Sequence, residues 1–96
     1  MVTAIIADDE DLPRKELRRM LAELWPELII VAESEHGADA LEAIYLHTPD
    51  IAFLDIRMPG MSGLDVANAI NPPGDRQSQW HARVQSKWQS VRRPKC

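Results

Sequence analysis

Only one cysteine occurs in the chain, and it is the last of the 96 residues, Cys96. An intramolecular disulfide is therefore excluded, and this usage fits a reducing cytoplasm. No apolar run approaches the ~18–20 residues that a membrane span requires. A basic segment is also missing ahead of the first apolar run, so a signal peptide is not expected, and the expected location is cytoplasmic with no membrane contact. Internal repeats are absent. The three histidines, His36, His47 and His81, stand far apart without metal-ligand spacing and read as surface residues.

Basic residues are scarce over most of the length. Residues 1–70 hold fourteen Asp and Glu against five Lys and Arg, whereas residues 71–96 hold one acid against six bases. The net charge of −4 thus conceals an acidic body and a basic tail, with one compositional break near Asn71. The expected organisation is a body over 1–70 and a Pro- and Trp-containing tail over 71–96. Asn71-Pro72-Pro73-Gly74-Asp75 reads as the breaker between them.

The body alternates short apolar runs with helical periodicity. Val2–Ala7 reads as a buried parallel strand. Asp11 offers a helix cap with Pro13 in the first turn, and Leu17, Met20, Leu21 and Leu24 recur at helical spacing before Trp25-Pro26 ends the pattern. Leu28–Ala32 is a second strand. His36-Gly37 is a turn, and Ala40, Leu41, Ala43 and Ile44 lie on a second helix. Thr48-Pro49-Asp50 precedes a third strand, Ile51–Leu54, and a loop through Gly60 and Gly63 leads into a helix over 64–70. A βαβαβα order with right-handed crossovers predicts an α/β fold with a parallel sheet and helices on both faces.

Chemistry enters at the strand ends. Asp8 and Asp9 close the first strand and Asp55 closes the third. Parallel strands lying side by side deliver these carboxylates to one crevice, where open α/β sheets place their ligands. Like charges so close need a raised pKa or a cation. An all-oxygen site suits Mg²⁺, with Asp8, Asp9, Asp55 and the backbone carbonyl of Arg57 as candidate ligands. Asp55, at a strand end before a glycine-containing loop, can accept a phosphoryl group as an aspartyl phosphate. Asp65, Glu10 and Asp11 read instead as helix-start acids. Met58, Pro59 and Met61 read as loop packing. Arg14, Lys15, Arg18 and Arg19 form a basic patch on the first helix, interleaved with Glu16 and Glu23.

Three segments in register carry a resemblance: Ile5-Ile6-Ala7-Asp8-Asp9-Glu10, Thr48-Pro49-Asp50-Ile51-Ala52-Phe53-Leu54-Asp55-Ile56, and Met58-Pro59-Gly60-Met61-Ser62-Gly63-Leu64-Asp65. Over residues 1 to about 70 the chain resembles the receiver domain of bacterial two-component response regulators, with wording most similar to those carrying a LytTR-type DNA-binding output. The resemblance implies a flavodoxin-like doubly wound sheet, here cut to three strands in the order 2-1-3. It implies that Asp55 takes its phosphate from a sensor histidine kinase with Mg²⁺ held by Asp8 and Asp9. DNA would be reached only through an output domain that lies outside this sequence.

Receivers continue with a strand ending in Thr or Ser and another ending in Lys, and no such pattern follows Ile70. Neither Lys87 nor Lys95 ends an apolar strand, so neither inherits the lysine's role, and an impaired site is expected. Trp80, Val84, Trp88 and Val91 fall at i, i+4, i+8 and i+11, which predicts a helical tail with a basic opposite face. The alternative is that 71–96 is sequence foreign to the body. The outer edge of Ile51–Leu54 would be open and is expected to be covered by self-association, such as a homodimer, by exchange of elements, or by docking of the tail. Two functions compete on this reading: a phosphoacceptor signalling domain that is not an enzyme in its own right, or a non-switching, dimerising interaction fragment.

Overall fold

The computed structural model describes residues 1–58, 60–70, 80–85 and 87–93, with the segment 81–85 described in its backbone alone. The elements in chain order are β1 (Thr3–Ala7), α1 (Asp11–Leu24), β2 (Ile29–Ser34), α2 (Gly37–His47), β3 (Ile51–Asp55), α3 (Gly63–Ile70), β4 (His81–Gln85) and β5 (Trp88–Arg92). They build one sheet in the order β2-β1-β3-β5-β4. β1 pairs in parallel with both β2 and β3, so the expected α/β architecture with the order 2-1-3 is present.

Strand alternation sorts the apolar side chains onto two faces. Ile5, Ala7, Ala52 and Leu54 join Ala40, Ala43 and Ile44 of α2 and Val66, Ala67 and Ile70 of α3 in the main core. The α2 stripe follows from its small residues at helical spacing, which let the helix lie close to the sheet. Gly37 and Gly63 permit two tight passages. A Cβ on Gly37 would overlap the Met61 carbonyl, and one on Gly63 would overlap the Asp55 carbonyl.

The opposite face is thinner. α1 lies there alone, none of its residues is fully buried, and Met20 and Leu24 stay exposed. Its apolar stripe is only partly covered because no second helix stands beside it among the described residues. A cavity of about 330 Å³ lies between Pro13, Leu17 and Met20 of α1 and Phe53, Trp88 and Ser90 of the sheet. The three arginines of the basic patch on α1 are ion-paired. Arg14 meets Asp11 and Glu33, Arg18 meets Glu33, and Arg19 meets Glu23.

The tail corrects one expectation: its described part is a β-hairpin, not a helix. β5 runs antiparallel to β3, pairing Ile51 with Arg92 through to Asp55 with Trp88, and β4 pairs antiparallel with β5. Docking of the tail is therefore how this edge is covered within one chain. His81-Ala82-Arg83-Val84-Gln85 alternates polar and apolar residues, a period-2 signal that competes with the helical stripe. The unpaired backbone groups of β3 decide between them, because a strand satisfies them and a helix does not. Val91 is fully buried in the main core, and burial of a side chain of this size contributes about 1.5–3 kcal/mol. At the far end of β5 the Arg93 guanidinium pairs with Asp50 and donates to the Thr48 carbonyl at 3.0 Å. The breaker at 71–75, Pro59, Lys95 and Cys96 lie outside the described residues.

Candidate functional site

The site forms where β1 and β3 end together. Because the two strands are parallel and in register, Ala7 sits opposite Leu54. Asp8, Asp9 and Asp55 each bring a carboxylate oxygen to within 4.8 Å of the others. Asp8 is fully buried, Asp55 nearly so, and Asp9 is exposed.

One oxygen of each buried acid is held by its own loop. The Glu10 N–H donates to Asp8 Oδ1 at 3.0 Å, and the Arg57 N–H donates to Asp55 Oδ1 at 3.1 Å. These bonds fix the carboxylates and turn the Oδ2 atoms toward shared space. Asp8 Oδ2 is buried, and among the described residues the Lys87 ammonium is the group that approaches it. The Arg14 guanidinium anchors the loop by donating to the Asp8 carbonyl at 2.8 Å.

A fourth residue reaches this pocket that sequence reasoning had set aside. Lys87 Nζ lies 3.1 Å from Asp8 Oδ2 and 3.5 Å from Asp55 Oδ2. Antiparallel β5 begins where β3 finishes, so the residue before Trp88 lies at the same sheet edge as the carboxyl ends of the parallel strands. The Ile56 N–H fixes it there by donating to the Lys87 carbonyl at 3.0 Å. The expectation that no lysine serves the site rested on a strand that ends in lysine. Here the lysine precedes its strand, and the alternation in 81–85 ahead of it is the signal that could have located it. Lys87 Nζ also sits 5.8 Å from the centre of the Trp88 ring.

The electrostatics follow from this arrangement. Burial raises the Asp55 carboxyl above the ordinary carboxylate range; the Arg57 amide opposes that rise, the neighbouring Asp8 adds to it, and Lys87 opposes it. Burial works against charge on Lys87, yet Asp8 beside it, with Asp55 and Glu10 adding, holds its ammonium above the usual lysine range. Three carboxylates against one ammonium leave a surplus of negative charge. A divalent cation with a preference for oxygen ligands matches both that surplus and the buried Asp8 Oδ2. Arg57 stands at the rim, with its amide turned to Asp55.

Comparison with known proteins identifies a family. The sequence model of the response regulator receiver domain matches residues 4–79. The chain belongs to that family. An uncharacterized response regulatory protein of Vibrio cholerae is 57% identical over 68 residues, covering 71% of this chain and 26% of the relative. A probable transcriptional regulatory protein NarL of Mycobacterium tuberculosis is 45% identical over 69 residues, covering 72% of this chain and 32% of the relative. Among solved structures, the signal receiver domain of the Mycobacterium tuberculosis response regulator NarL superimposes with a TM-score of 0.67 at 45% identity, covering 72% of this chain and 55% of that one. The chain spans about a quarter to a third of these curated relatives. Receiver domains serve phosphorelay signalling and generally bind Mg²⁺ in an acidic pocket, and this chain has such a cluster. No helix among the described residues is long and apolar enough to cross a membrane.

Proposed function

We propose that this chain is a phosphoacceptor module in which Asp55 takes a phosphoryl group from the phosphohistidine of a sensor kinase. The observation that carries the reading is the convergence of Asp8, Asp9 and Asp55 within 4.8 Å, beside the Lys87 ammonium. A carboxylate oxygen of Asp55 forms the new P–O bond as the P–N bond breaks, and the imidazole leaves as the neutral ring once it holds a proton. Mg²⁺, when bound, neutralises charge on the transferring phosphoryl oxygens. Asp8 and Asp9, with the carbonyl of Arg57, are the residues to hold it. The Arg57 amide keeps the Asp55 carboxylate oriented. Lys87 is the cation placed to meet a phosphoryl oxygen, and an oriented donor of this kind can contribute ~2.7–4 kcal/mol at a transition state.

Residues 1–70 act as the phosphoacceptor body and the tail supplies the lysine. The domain works in the cytoplasm alongside a kinase, and it reaches DNA only through an output domain outside this sequence. The competing reading is a non-switching, dimerising interaction fragment without phosphotransfer, which forms dimers but no phosphate adduct. The test uses a small phosphodonor such as phosphoramidate with Mg²⁺. An acid-labile, hydroxylamine-sensitive phosphate should appear on the wild-type chain and be lost in Asp55→Ala. Equal labelling of the two chains, or labelling of neither, would refute the proposal.

A further inference from the structure

We propose that the β4–β5 hairpin is a reversible cover, and that its docking on β3 and the capture of a divalent cation oppose each other through Lys87. The inference rests on the acid-pocket reading above and extends it to regulation of the same site.

The oxygen atoms that Lys87 engages are the ones an ion needs. Its ammonium stands 3.1 Å from Asp8 Oδ2 and 3.5 Å from Asp55 Oδ2, while both Oδ1 atoms are committed to backbone amides. A hard cation entering between these carboxylates repels the ammonium and takes over its partners. Lys87 is itself part of the hairpin connection, and the Ile56 amide bonds its carbonyl.

The attachment of the hairpin is narrow. Among the described residues β4 is held to the sheet through β5 alone, so the cover depends on the β3–β5 ladder, the buried Val91 and Gln89, the packing of Trp80 on the main core, and the ion pairs at its two ends. Those pairs are Lys87 with Asp8 and Asp55 at the site, and Arg93 with Asp50 at the far end. Ion capture removes the first and leaves the rest. The hairpin is thus loosened, not expelled, and the apolar edge of Ile51–Leu54 becomes intermittently available. Reciprocity requires that whatever weakens the Lys87 contact strengthens ion binding by the same factor.

The experiment titrates the full 96-residue chain with Mg²⁺ alone, following heat and amide hydrogen exchange. Removal of the competing charge in Lys87→Gln should tighten Mg²⁺ binding roughly three- to tenfold. Lys87→Arg should bind as the wild type does, and Lys15→Gln, which removes an exposed charge on α1, should also leave the affinity unchanged. In the wild type, saturating Mg²⁺ should lower protection of the Trp88–Arg92 amides several-fold. In Lys87→Gln that protection should already be low and respond little. Equal Mg²⁺ affinity in Lys87→Gln and wild type, or β5 protection that holds or rises with Mg²⁺ in the wild type, overturns the cover while leaving the acid pocket standing. Absence of Mg²⁺ binding in all the chains overturns the acid pocket itself, and the cover with it.

Discussion

The body over 1–70 and the hairpin over 81–92 contribute to one site by opposite routes. In the body, parallel strands carry acids at their carboxyl ends, and α2 and α3 cover one face of the sheet. The hairpin is basic, antiparallel and attached along a single strand, yet it places a cation among those same acids. What the contrast teaches is that position on the sheet edge matters more than strand direction. The start of an antiparallel strand and the end of a parallel one meet at the same rim.

The contrast can be broken most forcefully on the body side. Gly37→Ala drives a methyl group into the Met61 carbonyl. Overpacking of this kind costs roughly 1–3 kcal/mol. Both β1–β3 and β5 should lose stability together, seen as a lower Tm with one unfolding transition. An unchanged Tm would mean that the passage between α2 and the 60–63 loop is looser than described.

A smaller effect is expected on the hairpin side. Arg93→Ala removes the pair with Asp50 and the bond to the Thr48 carbonyl. Half-exposed pairs of this type contribute roughly 0–1 kcal/mol. Hydrogen exchange of the β5 amides should quicken while β1 is unaffected. If β1 quickens equally, the hairpin cannot loosen without the body and the comparison fails. The Thr3 amide bonded to Asp50 holds its carboxyl below the ordinary range; partial burial opposes this and Arg93 adds to it. That contribution is present above the ordinary carboxylate range and disappears as pH falls through the lowered value.

Much of the body could be read from sequence, and particular residues show why. Ile5, Ile6, Ala52 and Leu54 are buried apolar strand residues, and the acids that follow them needed only the parallel order 2-1-3 to meet. The order depends on short-range patterns and on handed crossovers, both written locally. The tail was harder. Trp80, Val84, Trp88 and Val91 satisfy a helical period, while 81–85 alternates as a strand. Only the unsatisfied edge of β3, a partner more than thirty residues away, resolves the conflict. Lys87 was missed for the same reason, because its role depends on the antiparallel register of a strand with little apolar content. The helix α1 shows the converse limit. Its periodicity is clear, but the periodicity does not reveal that Met20 and Leu24 stay exposed, with no second helix beside α1 among the described residues.

The central claim is that the hairpin inserts a positive charge between Asp8 and Asp55. The most direct test is an NMR titration of the Lys87 side chain in the wild type and in Asp8→Asn. The ammonium should titrate above the usual lysine range in the wild type and fall back in Asp8→Asn. Its stabilising contribution should accordingly be complete below the ordinary lysine range and be lost as pH rises through the elevated value. An ordinary lysine titration, the same in both chains, would contradict the account.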